Sequence, residues 1–340
     1  VAFTKKHIIY LILVIGIAFF ISAYKLPYYI YKPGGADALN PIVEVEDGYQ
    51  SEGDMHLVTV RGGQATPVQY LWAQVMPNQE VLPLQEVRPE GVSEDEYFHA
   101  QLQMMESSQE ASTVVAYEAA DEDITIEYNG VYVVSVVEEM PADDILKTGD
   151  RITGIDGNTI DESNDLIEYV ENKQPGDTIT VQVVRDEDQL EKEITLERFP
   201  DMDNKVGIGI QLVTDRSVEV DPEVDFSSGS IGGPSAGLMF SLEIYDQLTE
   251  EDLTKGYQIA GTGEVDYQGN VRRIGGVDKK VIAADREGCD IFFAANDNGA
   301  DDSNYEVALK AAEEMDTDMK IVPVDTFDDA LNYLQNLEPA

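Results

Sequence analysis

Residues Ile8 to Ala23 form an apolar run interrupted only by Tyr10, Gly16 and Ser22. A helix of this composition has no polar face to give to water, so it must be buried in protein or in lipid. Lys5 and Lys6 precede it, and Tyr24, Lys25, Pro27, Tyr28 and Tyr29 follow. Flanking Lys and Tyr extend the reach of a short span by snorkelling to the membrane surface. Two leading lysines favour a cytoplasmic N-terminus, which puts the bulk of the chain outside the cell. A cleaved leader is the competing reading, but Ile21-Ser22-Ala23 is a poor processing site. The expectation is a single-pass cell-membrane protein: a cytoplasmic tip and transmembrane anchor over residues 1–26, and an extracytoplasmic remainder.

That remainder is strongly acidic. Across the chain 67 Asp and Glu face 22 Lys and Arg, a formal net charge of −45. Such a polyanion lacks the basic surface that neutralises phosphates, so a nucleic-acid partner is excluded. The carboxylates are interleaved with apolar residues, as in Glu118-Ala119-Ala120-Asp121, a pattern that fits a hydrated surface over a real core. Cys289 is the single cysteine and lies in an apolar run, so neither a disulfide nor a thiol nucleophile is expected. With His7, His56 and His99 the only histidines and no C-x-x-C or H-E-x-x-H, no metal or other cofactor is expected.

Residues 27–123 read as a mixed α/β extracytoplasmic region. Short strands are expected at 43–45 and 57–60, and helices at 67–75 and 94–120. Ser93 is placed as the N-cap of the last, with Glu96 completing a capping box. No chemistry attaches to this stretch.

The next segment is more regular. Residues 124–128 and 131–137 alternate as strands, and Gly149-Asp150 and Asp156-Gly157 mark turns. A helix is expected over 162–172, then a hairpin of strands at 178–184 and 189–196. The pattern Leu146-x-x-Gly149-Asp150-x-Ile152-x-x-Ile155-Asp156-Gly157 and the helix after it resemble a PDZ domain, spanning residues 124–198. Such domains bind a peptide as an added strand. The resemblance implies a binding strand at 131–137, with Gly130, Val131, Tyr132 and Val133 as peptide-contacting residues. No Gly-Leu-Gly-Phe stands there; the sequence reads Asn129-Gly130-Val131-Tyr132. Residues 199–205 read as a linker into a third unit over 206–340.

In that unit Gly233-Pro234-Ser235-Ala236-Gly237 fits G-x-S-x-G. A helix starting at Ser235 would turn its amides toward a developing oxyanion, and Gly232 and Gly233 would let a substrate backbone approach. Gly232, Gly233, Pro234 and Ala236 are therefore the candidate oxyanion and substrate-backbone residues. The α/β-hydrolase arrangement needs a histidine after the serine, and none follows Ser235. An esterase-like triad of another order would have to recruit His56 or His99. A lysine whose pKa is lowered by burial is the alternative base. Lys255, Lys279, Lys280, Lys310 and Lys320 follow the serine. Helical spacing sets Lys280 beside the apolar face of Val277, Val281 and Ala284, and leaves Lys279 solvated or paired with acids.

Gly233-Pro234-Ser235-Ala236-Gly237, Thr262-Gly263-Glu264 and Gly275-Gly276-x-x-x-Lys280 together resemble the proteolytic domain of the Lon peptidase family. The resemblance implies a catalytic dyad of Ser235 and Lys280, with Thr262 orienting the lysine. Gly232 departs from the ATP-dependent members, which commonly carry an acidic residue there. The full arrangement is similar to the membrane-anchored PDZ-containing Lon-like serine proteases of Gram-positive bacteria. It implies an α+β multidomain chain: a transmembrane helix, a PDZ domain and a Lon-type proteolytic domain. No G-x-x-x-x-G-K-[ST] loop is present. The expected activity is ATP-independent endopeptidase action on flexible peptides or small secreted or membrane-tethered proteins. A homo-oligomer is compatible with this family. A membrane-tethered peptide-binding scaffold without catalysis is the other reading.

Overall fold

A computed structural model describes residues 5–88, 92–137, 139–186, 188–199 and 205–340. The chain divides into two compact units, Val1–Asp123 with Val220–Ala340, and Ile124–Glu219. The second unit is thus an insertion in the first.

The first unit opens with α1 (Lys5–Ala23), β1 (Tyr28–Ala38), β2 (Val43–Val45), β3 (Asp54–Gln64), α2 (Pro67–Ala73), β4 (Glu80–Pro83), α3 (Leu84–Val87) and α4 (Glu94–Ala120). α1 is the one helix among the described residues long and apolar enough to cross a membrane, a property leader sequences share. At 1.5 Å per residue it is about 28 Å long, close to the thickness of a hydrocarbon core. α2 and α4 begin with capping boxes, at Thr66 with Gln69 and at Ser93 with Glu96.

The second unit contains β5 (Asp123–Val136), β6 (Arg151–Ile155), β7 (Asn158–Thr159), α5 (Ser163–Glu171), β8 (Thr178–Arg185), β9 (Asp188–Thr195), β10 (Glu197–Arg198), β11 (Val206–Gly207) and β12 (Ile210–Asp221). Its main sheet has the order β12-β5-β6-β8-β9. Buried Val131, Val133, Ile152, Ile155, Ile179, Val181 and Ile194 from the sheet meet Leu166 and Val170 from α5 in one core.

The chain returns to the first unit through β13 (Val224–Phe226), α6 (Gly237–Leu248), β14 (Gln258–Thr262), β15 (Glu264–Val265), β16 (Val271–Arg272), α7 (Val277–Glu287), β17 (Ile291–Ala295), α8 (Asn304–Met315), β18 (Lys320–Val324) and α9 (Phe327–Gln335). Its main sheet runs β18-β17-β14-β3-β1-β4. β18, β17, β14 and β3 are parallel, and β1 and β4 are added antiparallel. A parallel strand is covered on both faces and so needs apolar residues throughout. Ile291–Ala295 meets that condition, every residue of it being buried.

Two boundaries differ from the sequence expectation. Residues 27–123 are not a separate region, because β3 pairs in register with β14 (His56 opposite Ala260) and β1 pairs with β3. The expected linker at 199–205 does not lead out of the second unit. Its residues 200–204 lie outside the described residues. On either side of them β10 pairs with β11, and the Phe199 amide donates to the Lys205 carbonyl (3.0 Å). Residues 206–219 therefore pack with the second unit. The reason is physical: β12 completes that unit's sheet and carries Ile210 and Leu212 onto its core, where Ile208 just before it is buried.

Candidate active site

Ser235 sits two residues before α6, whose N-cap is Ala236. Two elements fix it there. Along α4, Ser108 Oγ donates to the Pro234 carbonyl (2.9 Å) and Ser112 Oγ to the Gly237 carbonyl (2.9 Å). Gly237 is required by this closeness, since a Cβ there would lie 2.9 Å from Ser108 Oγ and 2.8 Å from the Val265 amide nitrogen. From the other side, the Gly263 amide donates to the Ser235 carbonyl (3.1 Å).

Lys280 comes from the second turn of α7. That helix starts at Gly276, which takes a left-handed φ of 71° as N-cap. Val277, Val281 and Ala284 bury against the sheet, as their spacing requires, and Lys280 is carried inward with them. Its Nζ lies 2.6 Å from Ser235 Oγ and 2.8 Å from Thr262 Oγ1. Thr262 ends β14 and donates its own proton to the Ser235 carbonyl (2.9 Å). With that proton committed, Thr262 faces Lys280 only as an acceptor. The amine is thereby held by one donated bond, and its remaining valence points at the serine hydroxyl.

Burial pushes the Lys280 ammonium down to about 7. Its neighbour Lys279 shows the opposite outcome. It is buried rather than solvated, and burial alone would lower its pKa. Glu80 (2.6 Å) and Asp278 (3.0 Å) outweigh that and hold it above the usual lysine range. One lysine on this helix is thus fixed as a cation, while the other is neutral for much of the physiological pH range. Burial also raises the Cys289 thiol to about 12, which leaves it inert.

The pair opens on a cleft of about 1300 Å³, lined among others by Tyr29, Tyr31, Tyr97, Gln101, Ser235 and Lys280. None of the histidines lines it. His56 is buried within β3 against Gln258 (2.7 Å), and His99 is exposed on α4. Among the described residues no cluster of His, Cys, Asp or Glu has the arrangement of a metal site.

Of the expected oxyanion donors, Gly233 is not available. Its amide is committed to the Gln101 carbonyl (2.7 Å), because α4 passes directly over the loop. Pro234 has no amide hydrogen. Gly232 stands exposed at the cleft rim. The amides of Ser235 and Ala236 have no acceptor among the described residues and lie just ahead of α6, whose aligned peptide dipoles favour negative charge. The Ser235 amide is a candidate donor that the sequence reading did not name.

The expected peptide-binding residues of the second unit are corrected by its sheet order. Gly130, Val131, Tyr132 and Val133 lie in β5, an interior strand flanked by β6 and β12. Val131 and Tyr132 pair with Ile152 and Arg151, and Gly130, Val131 and Val133 are buried. A strand with both edges satisfied cannot accept another. β12 is an edge strand, as is β9 at the other side of the sheet. The segment leading into β12, Gly207-Ile208-Gly209-Ile210, has the glycine spacing of Gly-Leu-Gly-Phe. α5 lies alongside, its Ser163 amide donating to Thr214 Oγ1 (3.0 Å).

Removing the Thr262 hydroxyl tests the lysine's setting. Thr262→Val takes away the acceptor that favours the ammonium form, so the pH midpoint of activity should fall below about 7. The lost hydrogen bond should lower kcat by about 10- to 100-fold with KM little changed. A pH–rate series on the variant measures both; an unmoved midpoint would refute this role.

Two family models match the chain, a PDZ domain over residues 101–196 and a Lon protease (S16) C-terminal proteolytic domain over residues 206–336. Curated relatives include the Lon protease of Campylobacter jejuni, 38% identical over 102 residues, covering 30% of this chain and 12% of the relative. The Lon protease of Malacoplasma penetrans is 38% identical over 120 residues, covering 34% of this chain and 14% of the relative. The chain thus matches only about an eighth of those proteins' length. Among solved structures, the PDZ domain of an SdrC-like protein from Listeria monocytogenes is 41% identical. It covers 25% of this chain and 90% of that one, with a TM-score of 0.24. The family-model matches and the site support a serine peptidase with a Lon-type (S16) proteolytic domain over residues 206–336 and a PDZ domain over residues 101–196.

Proposed function

We propose that this chain is an ATP-independent, membrane-anchored endopeptidase in which Ser235 is the nucleophile and Lys280 the general base. The observation that carries the reading is the 2.6 Å approach of a buried, carboxylate-free lysine amine to Ser235 Oγ. Neutral Lys280 takes the Ser235 proton as Oγ attacks the peptide carbonyl. The amides of Ser235 and Ala236 receive the negative charge of the tetrahedral oxygen. Protonated Lys280 then gives its proton to the departing amine, leaving an acyl-enzyme on Ser235. Water, deprotonated by Lys280, releases the second product.

Substrates are flexible peptides or small secreted or membrane-tethered proteins, captured in part as an added strand on the β12 edge. The two lysines that open α1 support an extracytoplasmic site. The aromatic, half-open cleft supports an extended peptide rather than a small ester. The test is a trap: Ser235→Ala, in its native membrane, should retain peptides that the unmodified protein cleaves, with no product detectable by mass spectrometry. Product from the variant at the unmodified rate would reject Ser235 as nucleophile. Cleavage that depends on added ATP would reject the ATP-independent reading.

A further inference from the structure

Among the described residues no element covers the outward apolar face of α2 and the turn that follows it. Val68, Leu71 and Trp72 on α2 and Val75 in that turn keep the spacing of one helix face, and are 47%, 68%, 58% and 70% exposed. The opposite face is already used: Tyr70 packs on Tyr28 (ring centroids 4.8 Å apart), and Ala73 is buried with Ile30 and Ala65. Scattered exposed apolar residues need no explanation, but a contiguous stripe containing the chain's one tryptophan does.

Three further observations say what covers it. First, α2 is tied to the end of α1. The Leu26 amide donates to the Ala65 carbonyl (2.8 Å), Gln64 Nε2 to the Leu26 carbonyl (2.9 Å) and Lys25 Nζ to the Gln64 carbonyl (3.3 Å). Two residues lie between the last residue of α1 and that anchor, and α1 and α2 bring Cα atoms within 8 Å of each other. Second, carboxylates are absent from the stretches of chain around α1 and α2. Although 67 of 340 residues are acidic, none occurs in 55–79 or ahead of Asp37. Third, the stripe carries Trp, whose amphipathic ring settles at the boundary between headgroups and acyl chains.

We infer that α2 lies in the outer surface of the bilayer beside α1, with Val68, Leu71, Trp72 and Val75 inserted among the lipids. This rests on reading α1 as a membrane span. The absence of carboxylates along 55–79 removes the repulsion that the rest of this polyanion would meet at an anionic membrane. With α1 alone, the first unit would be free to swivel on its tether. A second contact fixes its orientation to the membrane.

The sole tryptophan makes the test direct. The full chain is reconstituted in vesicles of phosphatidylcholine and phosphatidylglycerol, and Trp72 emission is followed with lipids brominated at shallow or deep acyl positions. Quenching should be stronger from shallow bromines than from deep ones. Leu71→Ser with Val75→Ser should lower it at least two-fold while the protein still floats with the vesicles. A protein that floats but whose Trp72 is quenched by aqueous acrylamide and by no lipid overturns the inference and leaves the anchor standing. Trp72 shielded from both quenchers in a concentration-dependent manner overturns it in favour of a second copy. A protein that does not float overturns the anchor and the inference together.

Discussion

Replacing Lys280 with methionine should reduce peptide cleavage by about a thousand-fold or more, the range in which positioned acid–base groups act. Methionine fills the same buried space without a charge to desolvate, so the fold should be kept and the loss be chemical. The unmodified protein supplies the companion result. Because burial holds Lys280 at about 7, the amine is a cation below that pH and cannot take the Ser235 proton. Activity should therefore fall tenfold per pH unit below about 7 and level off above it. A fluorogenic peptide assayed from pH 5 to 9 measures this. A flat profile, or a methionine variant as active as its parent, would remove Lys280 from the mechanism.

The second large effect lies at the far end of α6 and concerns stability. Glu243 is buried, and burial, with Asp246 and Asp54 nearby, raises its carboxyl to about 7 against an offsetting hydrogen bond from Gln247. In the unfolded chain it ionises near its ordinary 4.5. The neutral form is thus the one that suits the fold. The cost of ionising it begins to build above pH 4.5 and is complete above about 7. A displacement of that size corresponds to about 3 kcal/mol. Glu243→Gln keeps the Gln247 bond and cannot ionise. It should raise the melting temperature of the proteolytic unit by about 6–10 °C at pH 8 and much less at pH 5. Equal effects at both pH values would show that the Glu243 carboxyl titrates at the same pH in the folded as in the unfolded chain.

Ser235, Thr262 and Lys280 were legible in the sequence because each sits at a short-range landmark. The serine precedes a helix, the threonine ends a buried strand, and the lysine follows a Gly-Gly helix start. Residues 27–123 were opaque for the converse reason. β1 and β3 have irregular patterns by themselves and make sense only against β14, about 200 residues later, as in the His56–Gln258 contact. The sheet edge of the second unit was opaque for a similar reason. Both β5 and β12 alternate as half-buried strands, and which of them is the edge is fixed by pairing, not by local composition. Gly207-Ile208-Gly209-Ile210 was visible, but the boundary drawn just before it assigned it to the wrong unit. The engagement of the Gly233 amide by Gln101 had no sequence signature, since a main-chain carbonyl brought in by a distant helix leaves none.

The insertion of the second unit also shapes how the molecule is made. β3 leaves the ribosome long before β14, since Gln258 follows His56 by 202 positions. At typical elongation rates that is roughly 10–40 s during which β3 lacks its parallel neighbour. The inserted unit can fold in that interval, since its sheet and core close without β14 or α7. Translation therefore produces the inserted unit before the unit around it can close. Ser235 meets Lys280 only after α7 has arrived, so that contact is among the last to form.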